Sequence, residues 1–249
     1  MASGYRVNRF GGPEVMVWEA LSLGDLTPQS VRVRVEASGI NFAEVRMRAG
    51  DYSGQELPFI MGMEVAGTIE QVGSEVVDWQ VGDRVFGRAR GAHAEVVDCD
   101  PNHLMPLPAN LSFEQGAAIP VGWLTAWHAL YTVGGMKAGD RVLIEAVGGS
   151  VGSAALALAK QAGCWTLGTA SRDDKLIRAT ANGCDAVVNY TQASVSESVV
   201  DLTNGEGMDI GLMTIGDATA DQLIDAMGMD GRVVMFGSTG GRDITFNLR

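Results

Sequence analysis

The chain has 249 residues, of which 46% are hydrophobic and 19% charged, a composition typical of a folded protein with a sizeable core. The formal net charge of −12 argues against nucleic-acid binding and against docking on anionic membranes, because an acidic surface repels phosphate groups. No apolar run in the sequence is long enough to span a bilayer. The three cysteines, Cys99, Cys164 and Cys184, show neither a disulfide framework nor a zinc-ligand spacing, so we expect a cytoplasmic protein.

The first part of the chain, from Tyr5 to about Leu107, predicts mainly strands and turns. Val31, Val33 and Val35 alternate with charged residues, which is the period-2 pattern of a half-buried strand. Further strands are expected over residues 64–72, 84–87 and 93–97, and a helix over 42–48 with Asn41 as its N-cap. A proline-rich linker follows at residues 101–108, and then a helical stretch over 114–133 that Pro120 interrupts.

From residue 140 the pattern changes to strands that alternate with helices. We expect strands over 141–146, 165–170, 186–189, 209–215 and 232–237, and helices over 153–161, 173–181, 194–203 and 218–227. Such alternation predicts an α/β fold with a doubly wound parallel sheet.

The glycine turn between the first of these strands and its helix is the strongest functional signal. An apolar run ends in Ala146-x-x-Gly149-x-x-Gly152, and an alanine-rich segment continues from it. Strand, tight turn and helix in this order indicate dinucleotide binding, because the glycines let the backbone approach a pyrophosphate that the helix N-terminus attracts. Since Ala146 replaces the first glycine, a simple packing turn stays an alternative, and the motif alone leaves nicotinamide and flavin cofactors open.

The residues after the second strand favour NADP over NAD. This segment carries Ser171, Arg172 and Lys175, a hydroxyl and two cations suited to a 2′-phosphate, whereas NAD sites place a carboxylate there. Asp173 and Asp174 complicate this interpretation, but acidic residues also favour the first turn of a helix. Alternatively, Arg172 and Lys175 belong to a solvated helix face.

Several short motifs in consistent order resemble the zinc-independent branch of the medium-chain dehydrogenase/reductases, the group of quinone oxidoreductase, zeta-crystallin and vesicle amine transport protein. They are GINFAE at 39–44, PFIMGMEVAG at 58–67, VGDRV at 81–85, LTA at 124–126, the Ala146–Gly152 turn and VNY at 188–190. The resemblance implies a GroES-like, partly β-barrel substrate and catalytic domain over residues 1–122. It implies a Rossmann domain that binds NADPH over residues 123–249.

Zinc-using relatives carry a catalytic cysteine and a Gly-His-Glu segment, and the matching positions here are Ser38 and Met63. A hydroxyl and a thioether do not replace a thiolate and an imidazole as zinc ligands. We therefore expect no metal. The resemblance then implies hydride transfer from NADPH to a small-molecule quinone or α,β-unsaturated carbonyl.

The resemblance also implies roles for single residues. Asn41 and Tyr52 would line the nicotinamide and substrate cleft as catalytic residues, although Asn41 can equally be a simple N-cap and Tyr52 a packed loop aromatic. The residues implied in cofactor binding are Thr125 at the nicotinamide end, Gly149, Ser150, Val151 and Gly152 at the pyrophosphate, Tyr190 near the 2′-phosphate, and Phe236, Gly237 and Ser238 closing the pocket. His93, His103 and His128 have no spacing of a metal site or a triad, so we expect structural or surface roles.

Two further functions stay open at this stage, a non-catalytic NADPH-binding or interaction protein and an enoyl reductase that acts on acyl thioesters. The resemblance ends at residues 244–249, at what looks like the start of a sixth Rossmann strand. Relatives continue with that strand, with the edge used for dimerisation and with a late basic residue for the 2′-phosphate. We therefore expect a truncated Rossmann domain and, if the chain forms a homodimer, a shortened interface.

Overall fold

The computed structural model describes residues 2–241 and 243–245, and its backbone contacts divide the chain into two compact units. The first unit is Met1–Val121 and the second is Gly122–Arg249. This division falls one residue before the boundary between residues 122 and 123 that the family resemblance implies.

The first unit consists mainly of antiparallel β-structure. Its strands are β1 (Ala2–Val7), β2 (Met16–Leu21), β3 (Val31–Ala37), β4 (Phe59–Ile60), β5 (Glu64–Val72), β6 (Arg84–Arg88), β7 (Val96–Cys99) and β8 (Leu104–Pro106). They form a sheet in the order β2-β1-β4 and a second sheet in the order β7-β3-β5-β6-β8. Two short 3-10 helices (Pro13–Val15 and Pro101–His103) and the helices α1 (Phe42–Ala49) and α2 (Phe113–Ala117) complete it.

The period-2 pattern of β3 has the expected consequence for burial. Val31 and Val33 are fully buried in the core of this unit, together with Val65 and Ile69 of β5, which pairs with β3. Arg32, the residue between these two valines, forms an ion pair with Asp98 of β7 at 2.7 Å. Alternation along a single strand therefore predicted which face is buried.

Pro120 divides the helical stretch after the linker. α2 ends at Ala117, and α3 begins at Pro120 and runs to Trp127, where a π-helical segment over His128–Val133 continues it. Proline at the first helical position lacks only an N–H that would have no helical acceptor there, so the break coincides with a helix start.

The second unit is a parallel sheet with helices between its strands. The strands are β9 (Arg141–Ile144), β10 (Trp165–Ala170), β11 (Ala186–Asn189), β12 (Met208–Met213) and β13 (Met227–Met235), and the helices are α4 (Ser150–Gln161), α5 (Asp173–Ala181), α6 (Val195–Leu202) and α7 (Asp217–Asp225). The sheet order is β11-β10-β9-β12-β13, all parallel. The strand order reverses between β9 and β12, which is the point where such folds bind ligands.

Both faces of this sheet are buried. Val142 and Ile144 of β9 belong to one hydrophobic cluster and Leu143, between them, belongs to the other. A strand covered on both faces needs a continuous apolar run rather than an alternating one. This requirement explains the sequence VLI at the centre of the sheet.

Some predicted bounds are wrong for reasons that lie in tertiary contacts. β7 begins at Val96 instead of residue 93, because residues 93–95 exchange backbone hydrogen bonds with Ser3, Tyr5, Val35 and Met61. β9 ends two residues before its predicted end, and α4 begins three residues before its predicted start. β13 extends from Met227, because this residue already pairs with Met208 of β12.

No helix within the described residues is long and apolar enough to cross a membrane. Of the segment predicted to enter a sixth strand, residues 246–249 lie outside the described residues.

Candidate dinucleotide and acceptor sites

The glycine turn after β9 is tight enough to exclude a side chain at its last glycine. A Cβ at Gly152 would overlap the carbonyl oxygen of Ala146 and would lie 2.8 Å from the Cα of Val147. Ala146 itself has a φ of +50°, which is a left-handed conformation. Glycine adopts this conformation easily because it has no Cβ, whereas alanine is strained in it. The chain thus keeps the turn geometry despite the substitution at its first position.

The N-terminus of α4 presents backbone donors beyond this turn. Gly149 is the N-cap, and the first bond between residues four apart runs from the Ser153 N–H to the Gly149 carbonyl at 2.9 Å. The N–H groups of Ser150, Val151 and Gly152 precede that bond and therefore have no acceptor within the helix. This cradle of donors without side-chain obstruction fits a pyrophosphate.

The helix α3 packs directly against this N-terminus. A Cβ at Gly122 would overlap the hydroxyl oxygen of Ser150 and lie 3.4 Å from its carbonyl oxygen, so the two helices approach closely at this glycine. The packing brings α3, which carries the half-buried Thr125, to the same end of α4. The hydroxyl of Thr125 makes no hydrogen bond to another described residue.

A buried carboxylate ties the ends of β9 and β12 together. Glu145 is 3% exposed, and its Oε2 accepts from the N–H groups of Thr214 at 2.7 Å and Ile215 at 2.9 Å. Its Oε1 accepts from the hydroxyl of Thr219 at 2.5 Å. These bonds stabilise both loops at the point where the strand order reverses, and no local signal predicted this role for Glu145.

The two acidic residues at the start of α5 are already engaged by neighbours. Asp174 accepts from Arg172 Nε at 2.9 Å, and this hydrogen bond is the main reason that the pKa of Asp174 is lowered. Asp173 accepts from the side-chain amide of Asn189 at 2.6 Å. Each carboxylate therefore has a neighbour that orients it, through one oxygen of Asp173 and through both oxygens of Asp174.

Ser171 and Lys175, in contrast, have unpaired polar groups in the part of the chain that the structure describes. The stem of Lys175 lies over the glycine turn, since a Cβ at Gly148 would be 2.7 Å from the Lys175 Cβ. Tyr190 is half-buried, and its N–H donates to the Ala170 carbonyl at 3.3 Å, beside the end of β10. The structure thus brings Ser171, Lys175 and Tyr190 to the strand end where a 2′-phosphate would be recognised.

The segment after β13 closes onto the segment after β12. The N–H of Phe236 donates to the Met213 carbonyl at 3.1 Å, and that of Thr239 donates to the Thr214 carbonyl at 2.9 Å. A Cβ at Gly237 would overlap the Thr214 hydroxyl, and Ser238 beside it is half-buried. Phe236, Gly237 and Ser238 therefore lie at the same end of the sheet as the two loops that Glu145 connects.

In the first unit, two buried carboxylates hold the side chain of Asn41. Its Nδ2 donates to Glu64 Oε1 at 2.7 Å and lies 3.4 Å from Glu44 Oε2, and its backbone N–H donates to that same Glu44 oxygen at 2.6 Å. Glu44 and Glu64 are 1% and 3% exposed. Asn41 is also the N-cap of α1. Asn41 therefore caps the helix, and its side chain is also held by the two glutamates.

Glu44 has an unusual environment for a carboxyl group. Burial raises its pKa, and the neighbouring Glu64 adds to the rise, against the hydrogen bonds from Asn41 and the attraction of His93. Its Oε1 has no hydrogen-bond partner among the described residues and lies 3.5 Å from His93 Nε2, which is 3.0 Å from the Gly39 carbonyl. The spacing of Asn41 and Glu44 could have revealed the capping contact, but no local signal predicted Glu64 or His93 beside them.

Ser38 and Met63 lie next to this cluster. The Ser38 hydroxyl donates to the backbone carbonyl of Glu64 at 2.8 Å. Among the described residues, no group of three or more His, Cys, Asp or Glu side chains is arranged to hold a metal ion.

Tyr52 lines a cavity of about 840 Å³ whose lining residues all belong to the first unit. Its ring is 44% exposed, and Met63, Met47 and Phe59 contribute apolar surface to the same cavity. Asn41 is not among the residues that line it. The two residues predicted to be catalytic thus have different surroundings, Asn41 in a polar cluster and Tyr52 on an open wall.

Known proteins resemble the chain along nearly its whole length. Residues 27–109 match the family model described as "Alcohol dehydrogenase GroES-like domain", and residues 150–249 match the one described as "Zinc-binding dehydrogenase". A quinone oxidoreductase of Pseudomonas aeruginosa is 33% identical over 250 residues, which cover 100% of this chain and 77% of that protein.

Solved structures agree with this similarity. The Escherichia coli quinone oxidoreductase complexed with NADPH has a TM-score of 0.93 at 30% identity, and the match covers 98% of this chain and 76% of that one. The CurK enoyl reductase has a TM-score of 0.90 at 26% identity, covering 97% and 76%. One conclusion follows from the two units, the reversal of strand order at the glycine turn and the sequence identity over the whole chain. The chain belongs to the quinone oxidoreductase family of medium-chain dehydrogenase/reductases.

Proposed function

We propose that this protein is an NADPH-dependent oxidoreductase that reduces a quinone or an α,β-unsaturated carbonyl compound without zinc. The observation that carries the proposal is the glycine turn, in which Gly152 leaves no room for a Cβ against Ala146, in a chain 33% identical to a quinone oxidoreductase. NADPH, when bound, would supply the hydride, and the protein would supply binding and orientation.

The preference for NADPH rests on which groups are free at the end of β10. Lys175 and Ser171 retain an ammonium and a hydroxyl that can bind a phosphate. Both oxygens of Asp174 are engaged by Arg172 and Arg178, and Asn189 donates to one oxygen of Asp173, which leaves the second oxygen of Asp173 as the carboxylate oxygen open to a ribose hydroxyl. Arg172 contributes less than the sequence suggested, because its guanidinium already pairs with Asp174.

For the acceptor, we propose Tyr52 as the hydrogen-bond donor. Its phenol lies on an open cavity wall and can donate to a carbonyl oxygen, stabilising the negative charge that develops there as the carbonyl is reduced. Asn41 differs, because its Nδ2 is engaged by Glu64, which leaves Oδ1 as the atom available to a ligand. We propose that Asn41 accepts a hydrogen bond from the bound cofactor or acceptor.

The absence of a zinc requirement is part of the proposal, although one matching family model carries zinc in its name. A thioether stands at Met63, and the Ser38 hydroxyl already donates to the Glu64 carbonyl. Neither is a ligand that Zn²⁺ favours. Zinc therefore has no part in the steps above.

We also propose that the protein works in a reducing compartment such as the cytoplasm. All three cysteines are free and buried, and burial raises the pKa of Cys99 to about 12. Thiols in this state are protonated and poorly reactive.

The test is NADPH oxidation, followed by its absorbance, with a panel of quinones and enones. Tyr52→Phe should lower kcat/KM about 10- to 100-fold and leave NADPH affinity unchanged, because the donor acts on the acceptor. Tyr5→Phe is the matched control, since Tyr5 is similarly exposed at 42% and stacks on Trp18 instead. NADPH binding without turnover of any acceptor would instead favour a non-catalytic NADPH-binding protein.

The similarity to CurK enoyl reductase supports a second candidate, reduction of an enoyl thioester. Both reactions need the same hydride donor, so cofactor affinity does not separate them. Comparing kcat/KM for an enoyl thioester with that for the matching free enone does, and a preference above about tenfold for the thioester would favour the second candidate.

A further inference from the structure

The cavity that carries Tyr52 has a distinct charge pattern. Apart from His103, its charged lining residues are Arg6, Arg88, Arg90, Asp98 and Asp100. Three of them have a charged or polar neighbour, although the buried Nε of Arg6 makes no hydrogen bond among the described residues. Arg6 pairs with Glu19 at 2.9 Å, Asp98 pairs with Arg32 at 2.7 Å, and Asp100 accepts from the Asn102 N–H at 2.9 Å.

Arg88 and Arg90 are the two charged groups that remain unpaired. Arg88 ends β6 and Arg90 follows in the next turn, and both are exposed at the cavity wall. Neither guanidinium makes a hydrogen bond or an ion pair with another residue in the part of the chain described. In a chain of net charge −12, two free cations on one concave surface attract an anion to that place.

The remaining surface of the cavity is mixed, and Ser22, Ser53 and Gln55 contribute polar groups to it. Met47, Phe59, Ile60 and Met63 provide apolar contact area, and Tyr52 provides one hydroxyl. A ligand that contacts the apolar residues, Tyr52 and the two arginines therefore combines an apolar body, a carbonyl for Tyr52 and a negatively charged group for the arginines. Guanidinium groups bind carboxylate, sulfonate and phosphate oxygens through paired N–H donors.

We propose that Arg88 and Arg90 form an anion subsite in the acceptor cavity, so that the preferred acceptor carries a carboxylate, sulfonate or phosphate group. The identity of the ligand as an acceptor rests on the proposed function above. The subsite itself rests only on the two unpaired guanidiniums and the cavity that they line.

The direct test measures binding of compounds that cannot accept a hydride. Naphthalene-2-sulfonate and naphthalene-2-carboxylate are titrated calorimetrically against the neutral 2-naphthol. Both anions should bind tighter than 2-naphthol, and Arg88→Gln and Arg90→Gln should each weaken anion binding about fivefold, as expected for a solvent-exposed ion pair. Raising the salt concentration should reduce the same preference.

Arg9→Gln is the matched control, because Arg9 is also exposed and unpaired among the described residues but does not line the cavity. It should leave anion binding unchanged. Equal affinity of the wild-type protein for 2-naphthol and the two anions, or equal losses in Arg9→Gln and the cavity variants, would overturn the proposal.

Turnover separates this inference from the proposed function. With NADPH, the kcat/KM for a sulfonated naphthoquinone should fall in Arg88→Gln and Arg90→Gln, whereas the kcat/KM for unsubstituted naphthoquinone should stay the same. If the anions bind in an arginine-dependent manner but no acceptor is reduced, the subsite stands and the proposed function fails. If quinones are reduced with the same kcat/KM pattern in all variants, the proposed function stands and the subsite is wrong.

Discussion

Replacing Gly152 by alanine tests the glycine turn most directly. The added Cβ would overlap the Ala146 carbonyl oxygen and lie 2.8 Å from Val147 Cα and 2.9 Å from the Ala146 carbonyl carbon. All three atoms are backbone, so no flexible side chain can move away. Relief requires α4 to separate from the turn, and overpacking of this kind costs about 1–3 kcal/mol.

For a unit of this size, such a loss corresponds to a fall of about 3–10 °C in the Tm of the second unit. The same displacement moves the N–H groups of residues 150–152 away from the pyrophosphate, so we expect NADPH affinity to fall by about tenfold or more. Thermal unfolding followed by circular dichroism and titration of NADPH by its fluorescence measure the two effects.

Two other glycines make the experiment quantitative. A Cβ at Gly149 would meet the Ala146 carbonyl oxygen at 3.2 Å, a tight contact that a small shift relieves, and a Cβ at Gly24 would meet nothing within 4 Å. The loss of stability should therefore follow the order Gly152, Gly149, Gly24. A Gly152→Ala protein that melts with the wild type and binds NADPH equally well would refute the proposed role of the turn.

Three further predictions concern charged groups. Lys175→Gln should weaken NADPH binding about five- to tenfold and leave NADH binding unchanged, because only NADPH carries the 2′-phosphate, and Lys137→Gln is the exposed control in the same unit. The pKa of Asp185 is lowered although burial opposes this, because Lys160 and Thr166 donate to its carboxylate. Asp185→Asn should therefore cost about 1–2 kcal/mol at pH 7, a difference that denaturant titrations should find shrinking below about pH 4. Burial raises the pKa of Glu44 above its ordinary value of 4.5, so the wild type loses stability as pH rises above that value, and the Tm of Glu44→Gln should rise relative to the wild type over the same change in pH. A Tm difference that does not vary with pH would contradict this account of Glu44.

Much of the second unit could be predicted because its signals are local. The bounds of β10, β11 and α5 agree with the expected ranges, as does β5 in the first unit. Apolar runs, glycine punctuation and acidic first turns lie within a few residues of the element that they mark. The α/β class and the two-part organisation follow from such patterns, and the resemblance of short motifs then led to the family.

The conformation of Ala146 shows where local reasoning ends. The substitution of the first glycine weakened the motif in the sequence, yet Ala146 adopts a left-handed conformation that favours glycine. Packing of α4 against the turn, through Gly152, holds it there at a strain of about 1–2 kcal/mol. Tertiary contacts offset that strain, and no sequence pattern within the turn predicts those contacts.

Several charged side chains have partners that lie far away in the sequence. Glu145 meets Thr219, 74 positions away in the chain, and Asn41 meets Glu64, 23 positions away. Within the described residues Arg172 is paired, whereas Lys175, Arg88 and Arg90 make no ion pair, a distinction that residue type alone does not predict. The sequence by itself determined the order of the elements, the glycine turn and the family, since these depend on near neighbours. The fold decided which carboxylates are buried and which cations can bind a ligand, because those properties depend on residues that only folding brings together.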